Sequence, residues 1–346
     1  MSRPNDTSLY RVLPLGTDLH LRRGYMVVNE PLLGNLRFGR FLEVLDKTAE
    51  ETALNYVRKF HPEARVVTAA IDEIIIKNSA DVTRDIMLSA RINHVGRTSM
   101  EVGIHVEHPG DPAIHIASCF FTMVAKIGVG PQSKGVVIPP LEYIDEQEKK
   151  RSENAIATRN AHRSEENAAL DPPSREEYEL LKRLHLAQEK PEFDGLLAGQ
   201  LVTDSWERMY PDKENVPTTI FGGYLIRRAY ELSAICAELV APNRPVIVAV
   251  NRINFIYPVR LGDKLHFTSR VIYTGKTSIS IEANIRRISR DRASQALSNS
   301  CQFTFVNVDK DLTPQPVPTI YPTTFGEDAR YLQSYRRSKG FGRHQH

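Results

Sequence analysis

At 346 residues, with 41% hydrophobic and 25% charged side chains, the chain has the composition of an ordinary globular protein long enough for about two domains, each with its own core. The 45 basic and 42 acidic residues leave a formal charge of only +3, which gives no reason to expect nucleic acid or a membrane surface as the main partner. Cys119, Cys236 and Cys301 form no C-x-x-C pair and cannot all pair with one another, which argues against a disulfide framework and for buried thiols in a reducing compartment. No run approaches the length of a transmembrane helix, and Met1–Tyr10 lacks the apolar core of a secretory signal. A mitochondrial presequence would be Arg-rich and acid-poor over a longer stretch than Met1–Thr17. The expectation is a cytosolic protein, or a chain that begins after cleavage.

Residues 1–24 carry few periodic signals apart from Leu9–Leu13 and read as an arm. Tyr25–Val28 reads as a first short strand, and a loop with Pro31 and Gly34 follows. A helix is expected over Phe38–Phe60, with Leu42, Leu45, Ala49, Ala53 and Tyr56 spaced by three and four and Asp46 immediately beside that stripe. Val66–Ile76 is a buried strand, and the alternations at Ile86–Ile92 and Met100–Val106 flank the turn Val95-Gly96-Arg97-Thr98-Ser99 as a hairpin. Ser118–Val124 is the last strand of this unit. From Glu142 to Pro191 the composition turns charged and alanine-rich, with Asp171-Pro172-Pro173-Ser174 inside it, so this stretch reads as a linker of exposed helices.

The same order then begins again. Leu201–Met209 supplies a strand, Asn215–Phe221 a loop and Gly222–Val240 a helix. Val246–Ile256 is the buried strand, and two alternating segments flank Gly275-Lys276-Thr277-Ser278 before the end strand Ser300–Val306. Matching landmarks give offsets of 275 − 96 = 179, 301 − 119 = 182 and 223 − 39 = 184. A drift of so few residues across three elements fits a duplication with small loop insertions, and two copies point to paired domains rather than a solenoid. The expected divisions are residues 1–140, a linker over 141–195, and 196–346 with a C-terminal tail. Each unit, a long striped helix followed by antiparallel strands, packs most economically as a sheet wrapped around its helix, an α+β fold.

Within the second copy, Asn215-Val-Pro-Thr-Thr-Ile-Phe-Gly-Gly-Tyr224 delivers a loop to a helix whose first residues are glycines. Gly222 and Gly223 bare the first N–H groups, with the positive end of the helix dipole behind them, a setting suited to developing negative charge. Glycines placed for tight packing would leave the same pattern.

The segment Val246-Ile-Val-Ala-Val-Asn-Arg-Ile-Asn-Phe-Ile-Tyr-Pro-Val-Arg-Leu-Gly-Asp263, the Phe-Gly-Gly opening and the Gly-Lys-Thr-Ser turn resemble those of hotdog-fold acyl-CoA thioesterases. The likeness covers nearly the full length. With the linker, Leu36–Asp46 and the tail Tyr321–Glu327, it is most similar to the double-hotdog mitochondrial branch. The resemblance implies a tandem double hotdog that hydrolyses acyl-CoA with no cofactor beyond the CoA of its substrate. It also implies further self-association, three double units being the expected arrangement, and a place in the mitochondrial matrix if a leader has been removed.

In the single-domain members that this resembles, an Asn before Phe-Gly-Gly and an Asp seven residues after the second Gly belong to the active site. The second copy has Asn215 but Tyr230 at the carboxylate position; the first has Asp46 but, at 215 − 184 = 31, Pro31. Each copy keeps one half, so the expectation is one composite site of Asp46, Asn215, Gly222 and Gly223, with a second, inactive site at Pro31 and Tyr230. Asp46 would be the general base, or alternatively a nucleophile, and burial beside the apolar stripe would raise its pKa. Arg97-Thr98-Ser99 and Lys276-Thr277-Ser278 would contact CoA, or would be plain hairpin tips; Glu43 and Glu231 read as solvated. The histidines show no H-E-x-x-H spacing, and neither a Gly-x-Ser-x-Gly elbow nor a P-loop is present, so no metal site is expected. Competing readings are an acyl-CoA-binding module that has lost its chemistry, and a hotdog enoyl-CoA hydratase, which would want a His to accompany Asp46.

Overall fold

Period-two segments fold as strands and striped segments as helices. The computed structural model describes residues 2–30, 32–128, 132–168, 171–216 and 219–341. In chain order, β1 (Leu9–Leu13), α1 (Leu19–Gly24), α2 (Phe38–Val57), β2 (Arg65–Ile76), β3 (Ile86–Val95), β4 (Ser99–His108), β5 (Ile114–Ile127) and β6 (Lys134–Gly135) build the first copy. Helices α3 (Glu146–Ala168) and α4 (Arg175–Gln188) lead to β7 (Leu196–Leu197), β8 (Val202–Arg208), β9 (Glu214–Val216), β10 (Thr219–Ile220) and α5 (Gly222–Glu238). The second copy continues with β11 (Arg244–Phe255), β12 (Lys264–Thr274), β13 (Ser278–Ile288), β14 (Gln295–Val308), β15 (Ile320–Tyr321) and α6 (Phe325–Phe341).

One sheet runs through both copies in the order β1-β3-β4-β5-β2-β11-β14-β13-β12-β8, with β6 added on β5. Read from either end the order is the same pattern, so a pseudo-twofold axis passes between the central strands β2 and β11. These pair antiparallel, with Ile75 opposite Ala249 and Ala70 opposite Asn254. Helices α2 and α5 pack on the sheet and on each other. Phe41, Leu42, Leu45, Ala49 and Ala53 of α2 and Ala229 and Cys236 of α5 are sealed in the core. At about 1.5–3 kcal/mol for each fully buried large apolar side chain, these stripes are what hold helix to sheet. The fold is a tandem double hotdog, each unit a sheet wrapped around one long helix.

Three sequence expectations need correction. Tyr25–Val28 is not the first strand: only Met26 bridges, to Leu36, while β1, read as an arm, pairs with β3. The reason is a longer connection before the helix, residues 14–37 in the first copy against 209–221 in the second, which holds α1 behind its Asp18 cap. The linker helices are not exposed rods. α3 lies against β3, with Ser152 Oγ 2.9 Å from His94 Nδ1. α4 starts at a Ser174–Glu177 capping box and docks on α6 through Arg336–Glu177 (2.7 Å) and His185–Asp328 (2.9 Å). Leu184 is buried and Leu180 and Leu181 pack against the core, so the apolar residues of this charged stretch join the polar pairs in fastening it. The C-terminal tail is correspondingly a helix, α6, with Tyr331 and Leu332 buried. Among the described residues, no helix is long and apolar enough to cross a membrane.

Candidate active site

Asp46 lies in the third turn of α2, next to the core residue Leu45, and only 1% of it is exposed. Its stripe neighbours turn it toward the N-terminus of α5. There Gly222 and Gly223 open the helix behind Phe221, which makes no side-chain cap. Both glycines are required by close approach. A Cβ on Gly223 would lie 3.1 Å from Asp46 Oδ2 and 2.7 Å from the Phe221 ring; one on Gly222 would lie 3.0 Å from the Phe255 ring and 3.6 Å from Asp46 Oδ2. The carboxylate of one copy therefore sits against the bare helix start of the other.

Burial pushes the Asp46 carboxyl up to about 6 and neighbouring Glu50 adds to the rise, while the Thr68 hydroxyl, the Gly223 amide and Lys47 favour the ionised form. Thr68 Oγ1 donates to Asp46 Oδ1 at 2.6 Å, which fixes the carboxylate plane and leaves Oδ2 toward the glycines. At pH 7 such a group is mostly ionised yet still basic enough to take a proton. Asn215 lies in β9; its side chain, like the whole of Pro31, falls outside the described residues.

The two Gly-x-Thr-Ser turns part company. Ser99 pairs with Val124, and Val124 with Val67, so Arg97-Thr98-Ser99 lies at the Thr68 end of the sheet, about 10 Å across from β2. Ser278 pairs with Val306, and Val306 with Val246, nine residues (255 − 246) along β11 from Phe255, or roughly 30 Å. Lys276-Thr277-Ser278 thus belongs to the opposite end, away from Asp46, because the pseudo-twofold axis reverses the second copy. Arg97 and Lys276 are both exposed.

The thioesterase superfamily model matches residues 33–114 and 218–294, one segment in each copy. The chain is 30% identical over 353 aligned positions to the mitochondrial acyl-coenzyme A thioesterase 9 of Homo sapiens, covering 96% of this chain and 77% of that protein. This chain belongs to the double-hotdog acyl-CoA thioesterase family. It is also 26% identical to the chloroplastic acyl-coenzyme A thioesterase 2 of Humulus lupulus, over 96% of this chain and 79% of that one. Among solved structures it resembles an acyl-CoA hydrolase from Staphylococcus aureus in complex with butyryl coenzyme A, at 26% identity and a TM-score of 0.38, over 41% of this chain and 90% of that one.

In this thioesterase fold the pseudo-equivalent site, at the start of α2, has a different lining. A Cβ on Gly39 would meet the Cγ atoms of Arg227 and Glu231 at 3.2 Å and the Tyr230 ring at 3.3 Å, and no carboxylate oxygen. The Tyr230 ring packs against Phe38, Phe303 and Phe305 with centroids 5.2–5.9 Å away. Burial, then Glu231, push its phenol up, so it stays neutral. Glu43 and Glu231, expected to be solvated, are instead ion-paired between the helices: Arg227 meets Glu43 at 3.2 Å and Glu231 at 3.1 Å, and Arg37 meets Glu231 at 2.8 Å. Burial alone would raise Glu231, but Arg227 and Arg37 outweigh it and hold its carboxyl low.

Thr68 is the residue that sequence reasoning missed. The signal lay in the duplication. Thr68 pairs with Met123 and Ile247 with Phe305, and 305 − 123 = 182 is also the offset of the two end-strand cysteines. Thr68 and Ile247 are therefore equivalent positions, one polar and one apolar.

Proposed function

We propose that the chain hydrolyses acyl-CoA thioesters to a free acid and CoA at one composite site. The observation that carries this reading is the buried, Thr68-held Asp46 of the first copy standing against the uncapped Gly222-Gly223 start of α5 in the second. Ionised Asp46 takes a proton from water as its oxygen attacks the thioester carbon. The carbonyl oxygen becomes an oxyanion that the first amides of α5 stabilise. The tetrahedral carbon then collapses, the C–S bond breaks, and the proton held by Asp46 passes to the leaving thiolate. Asn215, on β9 ahead of α5, orients the water or the thioester. Arg97, Thr98 and Ser99, at the same end of the sheet, contact the CoA moiety, with Arg97 the group for its phosphates.

The relative from Homo sapiens carries a mitochondrial name, and the mitochondrial matrix is the compartment proposed here. Imaging of a tagged full-length protein tests it. Assembly into three double units is proposed on the same family basis. The edge strands leave Tyr10, Val12 and Trp206 largely exposed, and light scattering reads the mass.

The decisive experiment is thiol release from a panel of acyl-CoA esters by wild type, Asp46→Ala and Asn215→Ala. Turnover by wild type with loss of about 10²–10⁴ in kcat for Asp46→Ala is expected. Binding of every ester with no turnover would make the chain an acyl-CoA-binding module instead.

A further inference from the structure

The duplication supplies an internal control: positions that are polar at the Asp46 end and apolar or aromatic at their equivalents set the two ends apart. Asp46 against Tyr230 and Thr68 against Ile247 meet that criterion. A further position does so too. Asn299 on β14 pairs with Phe255 and with Ile285, whereas Ala117 on β5 pairs with Ile76 and with Val106. The differences, 299 − 117 = 182, 255 − 76 = 179 and 285 − 106 = 179, are the offsets that relate the two copies elsewhere. Asn299 thus stands where the first copy has alanine, and its ladder neighbour Phe255 is the residue whose ring reaches Gly222.

Asn299 is completely buried, and its Nδ2 has no hydrogen-bond partner. Ser298 Oγ lies 2.8 Å from both Asn299 Oδ1 and the carbonyl oxygen of Tyr257. That hydroxyl has one proton for two acceptors. In this orientation Nδ2 is a fully buried donor with no acceptor. An orphan of this kind costs about 1–3 kcal/mol, and an alanine at the equivalent place avoids it.

We propose that Asn299 determines specificity by hydrogen-bonding an oxygen on the acyl group itself, so that the preferred substrates are hydroxyacyl-CoA esters rather than saturated ones. This rests on the proposed thioester hydrolysis. A hydroxyl both donates and accepts, so it satisfies the amide in either orientation. A saturated chain passing the same place leaves the amide unpaired, and a site built to bond a substrate oxygen discriminates strongly against an analogue that lacks it.

The test compares kcat/KM for acyl-CoA pairs of equal length, saturated or hydroxylated at successive carbons, in wild type and Asn299→Leu. In wild type at least one hydroxylated ester should be preferred by about tenfold or more, the worth of one net hydrogen bond. In Asn299→Leu that preference should vanish as the saturated partner gains. Asn299→Ala, which installs the residue that the first copy carries, gives the same readout if the leucine variant does not fold. A substrate ratio on one enzyme is insensitive to a change in its stability. A ratio unchanged by either substitution overturns the assignment of Asn299 and leaves thioester hydrolysis standing. Wild type that hydrolyses no ester overturns both.

Discussion

The starts of α5 and α2 are built from the same element of the same repeat, and only one carries the groups for chemistry. Both have a glycine as the second helical residue, both lack a side-chain cap, and each of these glycines faces the seventh residue after the glycine of the opposite copy's helix. At α5 that residue is Asp46, held by Thr68. At α2 it is Tyr230, with Ile247 in place of the threonine and phenylalanine rings around it. On the proposed mechanism a bare helix start is necessary for the site and not sufficient. What distinguishes the two is a carboxylate made basic by burial and held still by one hydroxyl.

Duplication made this asymmetry possible, and the helix crossing shows the same effect. Glu43 and Arg227 meet each other, and 227 − 43 = 184 is the offset between the two helices. In a dimer of identical units this position would face itself, glutamate on glutamate or arginine on arginine, a repulsion in a partly buried place. Two copies in one chain can diverge, so the position became an ion pair. It sits one turn from Asp46 on α2 and one turn from Gly223 on α5, where it joins the two half-sites.

The largest effect should come from Asp46→Asn, with kcat reduced about 10²–10⁴-fold. The same variant should gain stability at high pH. Burial lifts the folded carboxyl to about 6 from the ordinary 3.8, so the native state binds the proton more tightly and ionised Asp46 opposes folding. That cost is absent below the lower value, grows between the two and reaches about 3 kcal/mol above pH 6. Denaturation of both forms across pH 3–8 should show Asp46→Asn ahead at pH 8 and level at pH 3. In wild type, kcat/KM should rise through about pH 6 to a plateau, because the base must be ionised. A Tm difference independent of pH would mean that Asp46 is not the group that burial perturbs.

Gly223→Ala comes next. Its methyl would meet the Phe221 ring at 2.7 Å and Asp46 Oδ2 at 3.1 Å, so the helix start or the carboxylate must shift. A displaced oxyanion donor costs about 10²–10³ in kcat. Gly39→Ala, in the other copy, meets the flexible side chains of Arg227 and Glu231 and should cost stability while sparing kcat in the properly folded fraction. Equal losses of kcat in both variants would erase the distinction between the two ends.

Thr68→Val should lower kcat by about tenfold, the worth of one hydrogen bond to a charged group. It should also move the acid limb of the pH profile upward, since Thr68 favours the ionised carboxylate. A kcat loss without that displacement would make Thr68 a packing residue only.

The sheet, the helices and the repeat were legible because period, turn chemistry and internal offset agreed with one another. The meeting of Asp46 with Gly222 and Gly223 was legible because the loss of the aspartate in the second copy complements the loss of the asparagine position in the first. The edge strand β1 was not, because a longer connection before α2 breaks the offset there. Nor was the docking of α3, α4 and α6, since their few buried apolar residues, such as Leu184 and Tyr331, stand among charged ones that look solvated in a sequence. Burial of a carboxylate would have misled on its own. Glu101, 4% exposed on β4, is pushed further, to about 7, mainly by burial, but it faces Asn93 on the sheet surface toward α3, with no helix start to work on. Position relative to the glycines, not the shift, separates the two acids.

The smallest effect tests the silent end directly. Tyr230→Phe removes a phenol that stays neutral among aromatic rings, and turnover should not change. The sharper form is Tyr230→Asp placed in Asp46→Asn, which restores a carboxylate at the equivalent position of the other site. No activity should return. The new acid would meet Ile247 where Asp46 meets Thr68, it would be buried among Phe38, Phe303 and Phe305, and Glu231 beside it would oppose its ionisation. It would therefore stay protonated at neutral pH and could not serve as a base. Recovered turnover in that double variant would show that a carboxylate at a bare helix start is sufficient, and that the surrounding polar positions, Asn299 included, are incidental.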